Sequence, residues 1–159
     1  MEGPNRDLHS GNYGGAVDNP ANALSRLVAG LHDDDHRIAI PRFYEDVRDL
    51  TEAERDTYAN LPFDEAAWRD TIGIDDVRTE AGYTTLECLS ARPTLDVNGI
   101  WGGYTGEGAK TVLPSKAHAK LSMRLVPKQS VPDIYDKLEA HLKADVPDTM
   151  ELSVRRLHG

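Results

Sequence analysis

The feature that most constrains this chain is a change of hydrophobic period along its length. From 117 to 125 apolar and polar residues alternate without a break. Ala117, Ala119, Leu121, Met123 and Leu125 take one side, and His118, Lys120, Ser122 and Arg124 the other. A period of two is that of a strand buried on one face, and such a strand needs cover on that face alone. Pro127 stops it. Two segments with helical spacing can supply the cover. Leu24, Leu27, Val28 and Leu31 form a stripe behind Asn19-Pro20, an N-cap followed by a first-turn proline, and the run Asp33-Asp34-Asp35 closes it. Val131, Ile134, Leu138 and Leu142 form the second stripe. Ser130-x-x-Asp133 opens it in the manner of a capping box, and Pro147 ends it.

The remaining elements follow from the same rules. Residues 1–18 hold Gly3, Gly11, Gly14 and Gly15 and read mostly as loop. Segment 37–93 is the least regular. Thr51-x-x-Glu54 and Thr84-x-x-Glu87 are capping boxes that predict short helices at about 51–60 and 84–90, with another after Asp64. Phe43, Tyr44, Phe63 and Trp68 supply apolar mass to tack this segment down. Leu95 and Val97 alternate with polar neighbours as in a strand, and a glycine-rich turn follows from Gly99 to Gly108. Met150, Leu152 and Val154 predict a last strand. The order is helix, irregular insert, strand, strand, helix, strand. This predicts an α+β fold: a ferredoxin-like two-layer sandwich (β-α-β-β-α-β), its antiparallel sheet covered by helices on one face, with a helical insertion at about 37–93. The first strand is a stub. Either the sheet has three long strands, or the chain begins inside an element.

Composition narrows the function. Eighteen Lys+Arg against 27 Asp+Glu give a net charge of −9, which disfavours nucleic acid and anionic membrane as partners. The single cysteine, Cys88, excludes an intrachain disulfide and a cysteine zinc cluster. No apolar run approaches the ~20 residues needed to span a bilayer. The opening MEGPNRDLHS lacks the apolar stretch of a signal peptide. The expectation is one cytoplasmic domain over 1–159.

Most candidate chemistry has a plainer reading. His32-x-Asp34 and His36 look like metal ligands, but they are crowded on one exposed loop, where rigid support is lacking. Gly103 to Thr111 resembles a phosphate loop, yet Lys110 does not directly follow a glycine. Cys88 falls in the apolar register of a short helix, as a packed thiol. Asp64-Glu65 and Asp75-Asp76 lie in loops or helix starts. Two places stay open. Arg124, with Lys120 and His118, is either a solvated sheet face or a cationic strip able to grip a carboxylate. His9, among glycines, is either a solvated loop residue or one poised against a ligand.

Several long motifs in order carry a family resemblance over essentially the whole chain: GPNRDLHSGNYGG at 3–15, NPANAL at 19–24, GYTTLE at 82–87, RPTLDVNGIWGGYTGEGAKTVLP at 92–114 and AKLSMRLVP at 119–127. The chain resembles the carnosinase-like dizinc metallopeptidases, which include acetylornithine deacetylase and succinyl-diaminopimelate desuccinylase. The part it resembles is their lid or dimerisation domain, which interrupts a larger catalytic domain. The resemblance implies that residues 1–159 are a single lid domain from a larger metallopeptidase, pairing with a second copy as a homodimer. It places the metal site, two zinc or similar divalent ions, in the catalytic domain, and this chain lacks that domain's Glu-Glu pair. The family's long first strand ahead of GPNRDLHSG is nearly missing.

The same resemblance assigns three residues by motif. His9, in DLHSG, matches a histidine that enters the partner subunit's active site near the scissile carbonyl. Thr111, in AKTVLP, and Arg124, in SMRLVP, match substrate-binding residues, the arginine on the substrate's terminal carboxylate. The implied function is a dimerisation and substrate-capping domain of a metal-dependent peptidase or amidohydrolase acting on dipeptides or N-acyl amino acids, inactive alone. The alternative is a stand-alone ferredoxin-like regulatory module that binds a small molecule. That module needs no histidine reaching across a dimer, and should bind its ligand unaided.

Overall fold

A computed structural model describes residues 1–159. Its elements are β1 (Leu8–His9), α1 (Ser10–Tyr13), α2 (Pro20–Ala29), α3 (Glu52–Ala59), α4 (Glu65–Ile72), α5 (Thr85–Ala91), β2 (Thr94–Gly102), β3 (Val112–Leu113), β4 (Ala117–Arg124) and α6 (Val131–Ala144). The fold is α+β. β2 and β4 form an antiparallel pair running from Thr94 opposite Arg124 to Gly102 opposite Ala117, with a bulge between Val97 and Gly99. The first three residues add to the other side of β4. The Met1 amine donates to the Ala117 carbonyl at 3.1 Å, and the Ala117 N–H donates to the Met1 carbonyl at 3.0 Å. Glu2 and Glu151 exchange N–H···O bonds at 2.8 and 2.9 Å. The resulting order, all antiparallel, is segment 150–152, segment 1–3, β4, β2, which is the strand order of a ferredoxin-like sheet. Its first two members are reduced to isolated bridges. β1 and β3 make a separate two-rung ribbon.

Helical cover lies where the periodicity puts it. Ala23, Leu24 and Leu27 of α2, and Ile134, Leu138 and Leu142 of α6, are buried in one cluster with Met1, Leu95, Ala117 and Met150. Burying each leucine or isoleucine contributes about 1.5–3 kcal/mol. β4 shows the alternation in its burial, with His118, Lys120, Ser122 and Arg124 all exposed. Asn19 Oδ1 accepts from the Ala21 N–H, which caps α2 as its residue type predicts.

Segment 37–93 carries three short helices joined by turns and irregular chain, and both capping boxes form at α3 and α5. The Glu54 carboxyl is lowered to about 2 by the Arg48 guanidinium and by bonds from Thr51. The segment is held by its ends. Ile38, Ile40 and Phe43 enter the core at one end. At the other, Arg92 Nε and Nη2 donate to the two Glu80 carboxylate oxygens at 2.8 and 2.6 Å, in an ion pair buried on both sides. Arg92 also lies 4.1 Å from the Tyr83 ring centroid. Burial alone would lower the Arg92 guanidinium, but the Glu80 bonds and charge carry it above its ordinary value.

The structure corrects five details. The last strand does not form. Glu151 makes one bridge to Glu2, and Leu152 and Val154 pack against the core without a ladder. Ser130 makes no side-chain cap bond on α6. α2 stops at Ala29, not at the aspartates; Leu31 is buried in the segment that follows. β2 continues through Gly99 to Gly102, because the bulge takes up Asn98 and pairing with β4 resumes at Gly99 opposite Lys120. Residues 1–18 include β1 and α1 as well as loop.

Candidate functional site

His9 ends β1 and caps α1. Its Nδ1 accepts from the Gly11 backbone N–H at 3.1 Å. A backbone N–H only donates, so Nδ1 carries no proton in this arrangement, and the neutral ring holds its proton on Nε2. Nε2 lies 2.9 Å from Thr111 Oγ1 and donates to it. The glycines of the motif permit this packing. A Cβ on Gly11 would lie 2.9 Å from His9 Cε1, and one on Gly14 would lie 2.4 Å from the Ser10 carbonyl oxygen.

Two cross-links flank the pair. The Ser10 N–H donates to the Thr111 carbonyl at 3.1 Å. Asp7 Oδ1 accepts from both the Ser115 N–H, at 2.7 Å, and the Ser115 hydroxyl, at 2.8 Å. The Ser115 backbone and hydroxyl bonds hold the Asp7 carboxyl below its ordinary range. Asp7 and Ser115 were not among the residues the motifs singled out by role. The quoted DLHSG contains Asp7, but nothing in the sequence marks Ser115.

Arg124 lies at the far end of β4, opposite Thr94. Its neighbours on the strip are partly engaged: the His118 ring stacks on Trp101 at 5.1 Å, and Lys120 Nζ lies 5.8 Å from the Trp101 ring centroid. Arg124 makes no ion pair, and its side chain is exposed. The structure therefore groups the three residues differently from the motifs, with Thr111 beside His9 and Arg124 apart. Asp7 and Ser115 tie the pair to the Ala117 end of β4, and seven residues at ~3.3 Å each carry Arg124 about 23 Å from there.

A family model described as "Peptidase dimerisation domain" matches residues 1–150. The chain belongs to this family. The dimerisation domain is 32% identical over 142 residues to "Cys-Gly metallodipeptidase dug1" of Schizosaccharomyces pombe, covering 89% of this chain and 30% of that protein. It is 32% identical to the human "Beta-Ala-His dipeptidase", covering 87% of this chain and 27% of that protein. Among solved structures it superposes on the M20 family metallo-carboxypeptidase Sso-CP2 of Sulfolobus solfataricus with a TM-score of 0.81 and 34% identity, over 91% of this chain and 38% of that one. Human carnosine dipeptidase 1 gives a TM-score of 0.80 at 30% identity, over 91% of this chain and 31% of that one. The domain thus spans about 30% of the length of the curated relatives it matches.

Of the other candidates, His32, His36 and Cys88 lie apart from the His9–Thr111 pair in the dimerisation domain. No group of three or more His, Cys, Asp and Glu side chains converges as metal ligands. His32 and His36 lie on an exposed turn, where Asp33 Oδ1 accepts from the Asp35 and Arg37 N–H groups. The residues present do not fit a metal ion. Cys88 is half-buried, and burial raises its thiol. No helix is long and apolar enough to cross a membrane.

Proposed function

We propose that the domain dimerises and caps the substrate site of a metal-dependent peptidase or amidohydrolase that cleaves dipeptides or N-acyl amino acids. On this reading residues 1–159 are one lid domain of a longer polypeptide, which supplies the metals from its own catalytic domain. The relatives named above support the class. The single free thiol, Cys88, goes with a cytoplasmic setting.

The observation that carries the reading is the 2.9 Å contact between His9 Nε2 and Thr111 Oγ1. It presents a neutral histidine as a hydrogen-bond donor beside a hydroxyl, fixed by backbone on both strands of the ribbon. With that one N–H given to Thr111 Oγ1, the Thr111 O–H is left free to donate, and when the substrate enters, the hydroxyl, or the imidazole turned from it, stabilises the oxyanion that develops as an amide carbonyl is attacked. Thr111 fixes the ring and offers a second polar contact to the substrate. Arg124 grips the terminal carboxylate through two parallel N–H···O bonds.

The length of β4 bears on how these groups share a substrate. An extended dipeptide spans at most ~7 Å, far less than the length of β4. That length supports a site built from two copies, in which Arg124 comes from one and His9 with Thr111 from the other. The free outer edge of β2, beside α2, is the surface suited to that pairing. An unpaired edge is a template for a second copy, and Val97 and Ile100 leave apolar surface on β2 exposed.

Mixing tests the arrangement. In the complete enzyme His9→Ala and Arg124→Ala should each lower turnover strongly. Exchanging subunits between the two variants should recover about a quarter of wild-type turnover, since half the dimers are mixed and one of their two sites is intact. Near-normal turnover in His9→Ala, or no recovery on mixing, would refute the reading.

A further inference from the structure

The ribbon that carries His9 has only two rungs, Leu8 opposite Leu113 and His9 opposite Val112. So short a ribbon does not hold its register unaided. Something else must keep the imidazole and the Thr111 hydroxyl in contact. The Ser10–Thr111 backbone bond lies beyond His9 and closes one end. At the other end the Asp7 carboxylate takes both donors of Ser115 on one oxygen, Oδ1. Ser115 is fixed in turn, because its carbonyl accepts from the Gly3 N–H at 2.9 Å and so belongs to the main sheet. The chain of contacts runs from the sheet through Gly3 and Ser115 to Asp7, and from Asp7 along two residues of backbone to His9.

We propose that Asp7 is a positioning residue: its clasp on Ser115 transmits the register of the main sheet to the His9–Thr111 pair. This rests on the reading of His9 and Thr111 as substrate contacts. Ionised aspartate suits the task because a carboxylate accepts two bonds on one oxygen and donates none, so it does not compete for the ribbon's own acceptors. Asparagine at this position would keep an acceptor oxygen in the same place. Alanine there would leave the two-rung ribbon to slide, and a slip of one residue turns His9 to the opposite face of the ribbon.

The test uses the full chain labelled with ¹⁵N, observing the His9 ring nitrogens by long-range ¹H–¹⁵N correlation. In the wild type the spectrum should show a bare Nδ1 and a protonated Nε2. Asp7→Ala should move both resonances toward a mixture of tautomers and remove the exchange protection of the Gly11 amide. Asp7→Asn should restore most of the wild-type pattern, and Ser115→Ala should give a smaller displacement in the direction of Asp7→Ala. If Asp7→Ala fails to fold, Ser115→Ala decides alone. A wild-type His9 pattern in either alanine variant that folds overturns the proposal. In the complete enzyme Asp7→Ala should lower kcat about tenfold with KM unchanged, as for a donor displaced only from the transition state. Equal loss in kcat/KM through KM alone would overturn it. If His9→Ala leaves turnover intact, the functional reading falls instead, and the ring spectra still judge the clasp.

Discussion

Replacing Glu80 by leucine should destabilise the domain far more than its place in an irregular segment suggests. Glu80 and Arg92 are 7% and 4% exposed, and two bonds of 2.8 and 2.6 Å join them. Leucine fills most of the space but leaves the guanidinium without its carboxylate. Arg92 Nη1 already has no hydrogen-bond partner, and its next carboxylate, Asp49, stands at 3.9 Å. Removing one member of a buried pair typically costs about 3–5 kcal/mol. For a domain of this size that lowers Tm by about 6–20 °C. Arg92→Met should cost about 2–4 kcal/mol, somewhat less, because Glu80 retains the half-exposed Arg37 at 3.3 Å. The double variant Glu80→Leu/Arg92→Met should lie within about 1 kcal/mol of wild type, since no buried charge is left unpaired. Urea unfolding of all four proteins gives the cycle. A Glu80→Leu cost under about 1 kcal/mol would show that the pair is not withdrawn from water. A double variant as unstable as the sum of the singles would show that the two residues act independently.

Three further outcomes are expected. Arg124→Lys should raise KM about 10–100-fold for a substrate with a free terminal carboxylate, because lysine cannot make the bidentate bond, and should leave a carboxamide-capped substrate unaffected; steady-state kinetics on the two substrates compares them. Glu54 is lowered in the folded state, so the support it lends α3 is complete above its ordinary value of 4.5 and is lost as pH falls toward about 2. Amide exchange of α3 should accelerate across that window, while Glu54→Gln shows a flatter profile. Ile100 is 51% exposed on β2, whose outer edge is unpaired, and Ile100→Lys should shift the dimer toward monomer in light scattering at fixed concentration.

Residues 117–125 and the two helical stripes carried most of the fold in plain view. Strict alternation allows one element, and stripes at three and four residues allow another, so layers and core followed from local pattern. The capping boxes were equally legible, because Thr51 with Glu54 and Thr84 with Glu87 interact within four residues. Ser130 shows the limit of that logic: the residue type was right, but its hydroxyl makes no cap bond on α6. Met150, Leu152 and Val154 show another limit. Their alternation placed them against the core, yet strand pairing depends on a neighbour that local pattern does not supply.

The candidate site divides along the same line. His9, Thr111 and Arg124 were named from motifs, and local chemistry explains part of it, such as the need for Gly11 beside the imidazole. That His9 touches Thr111, 102 residues away, came only from the antiparallel ribbon. The Asp7–Ser115 clasp and the buried Glu80–Arg92 pair likewise came only from the tertiary structure, each joining residues whose sequence neighbours give no sign of the other. The amino-acid sequence by itself determined α2, α6 and β4 with the inward face of each, and the capped starts of α3 and α5, because those choices depend on neighbours within a few positions. The tertiary structure alone decided that Thr111 stands with His9 and that Arg124 stands a strand's length away. Those relations are set by register and strand direction, which bring distant parts of the chain together.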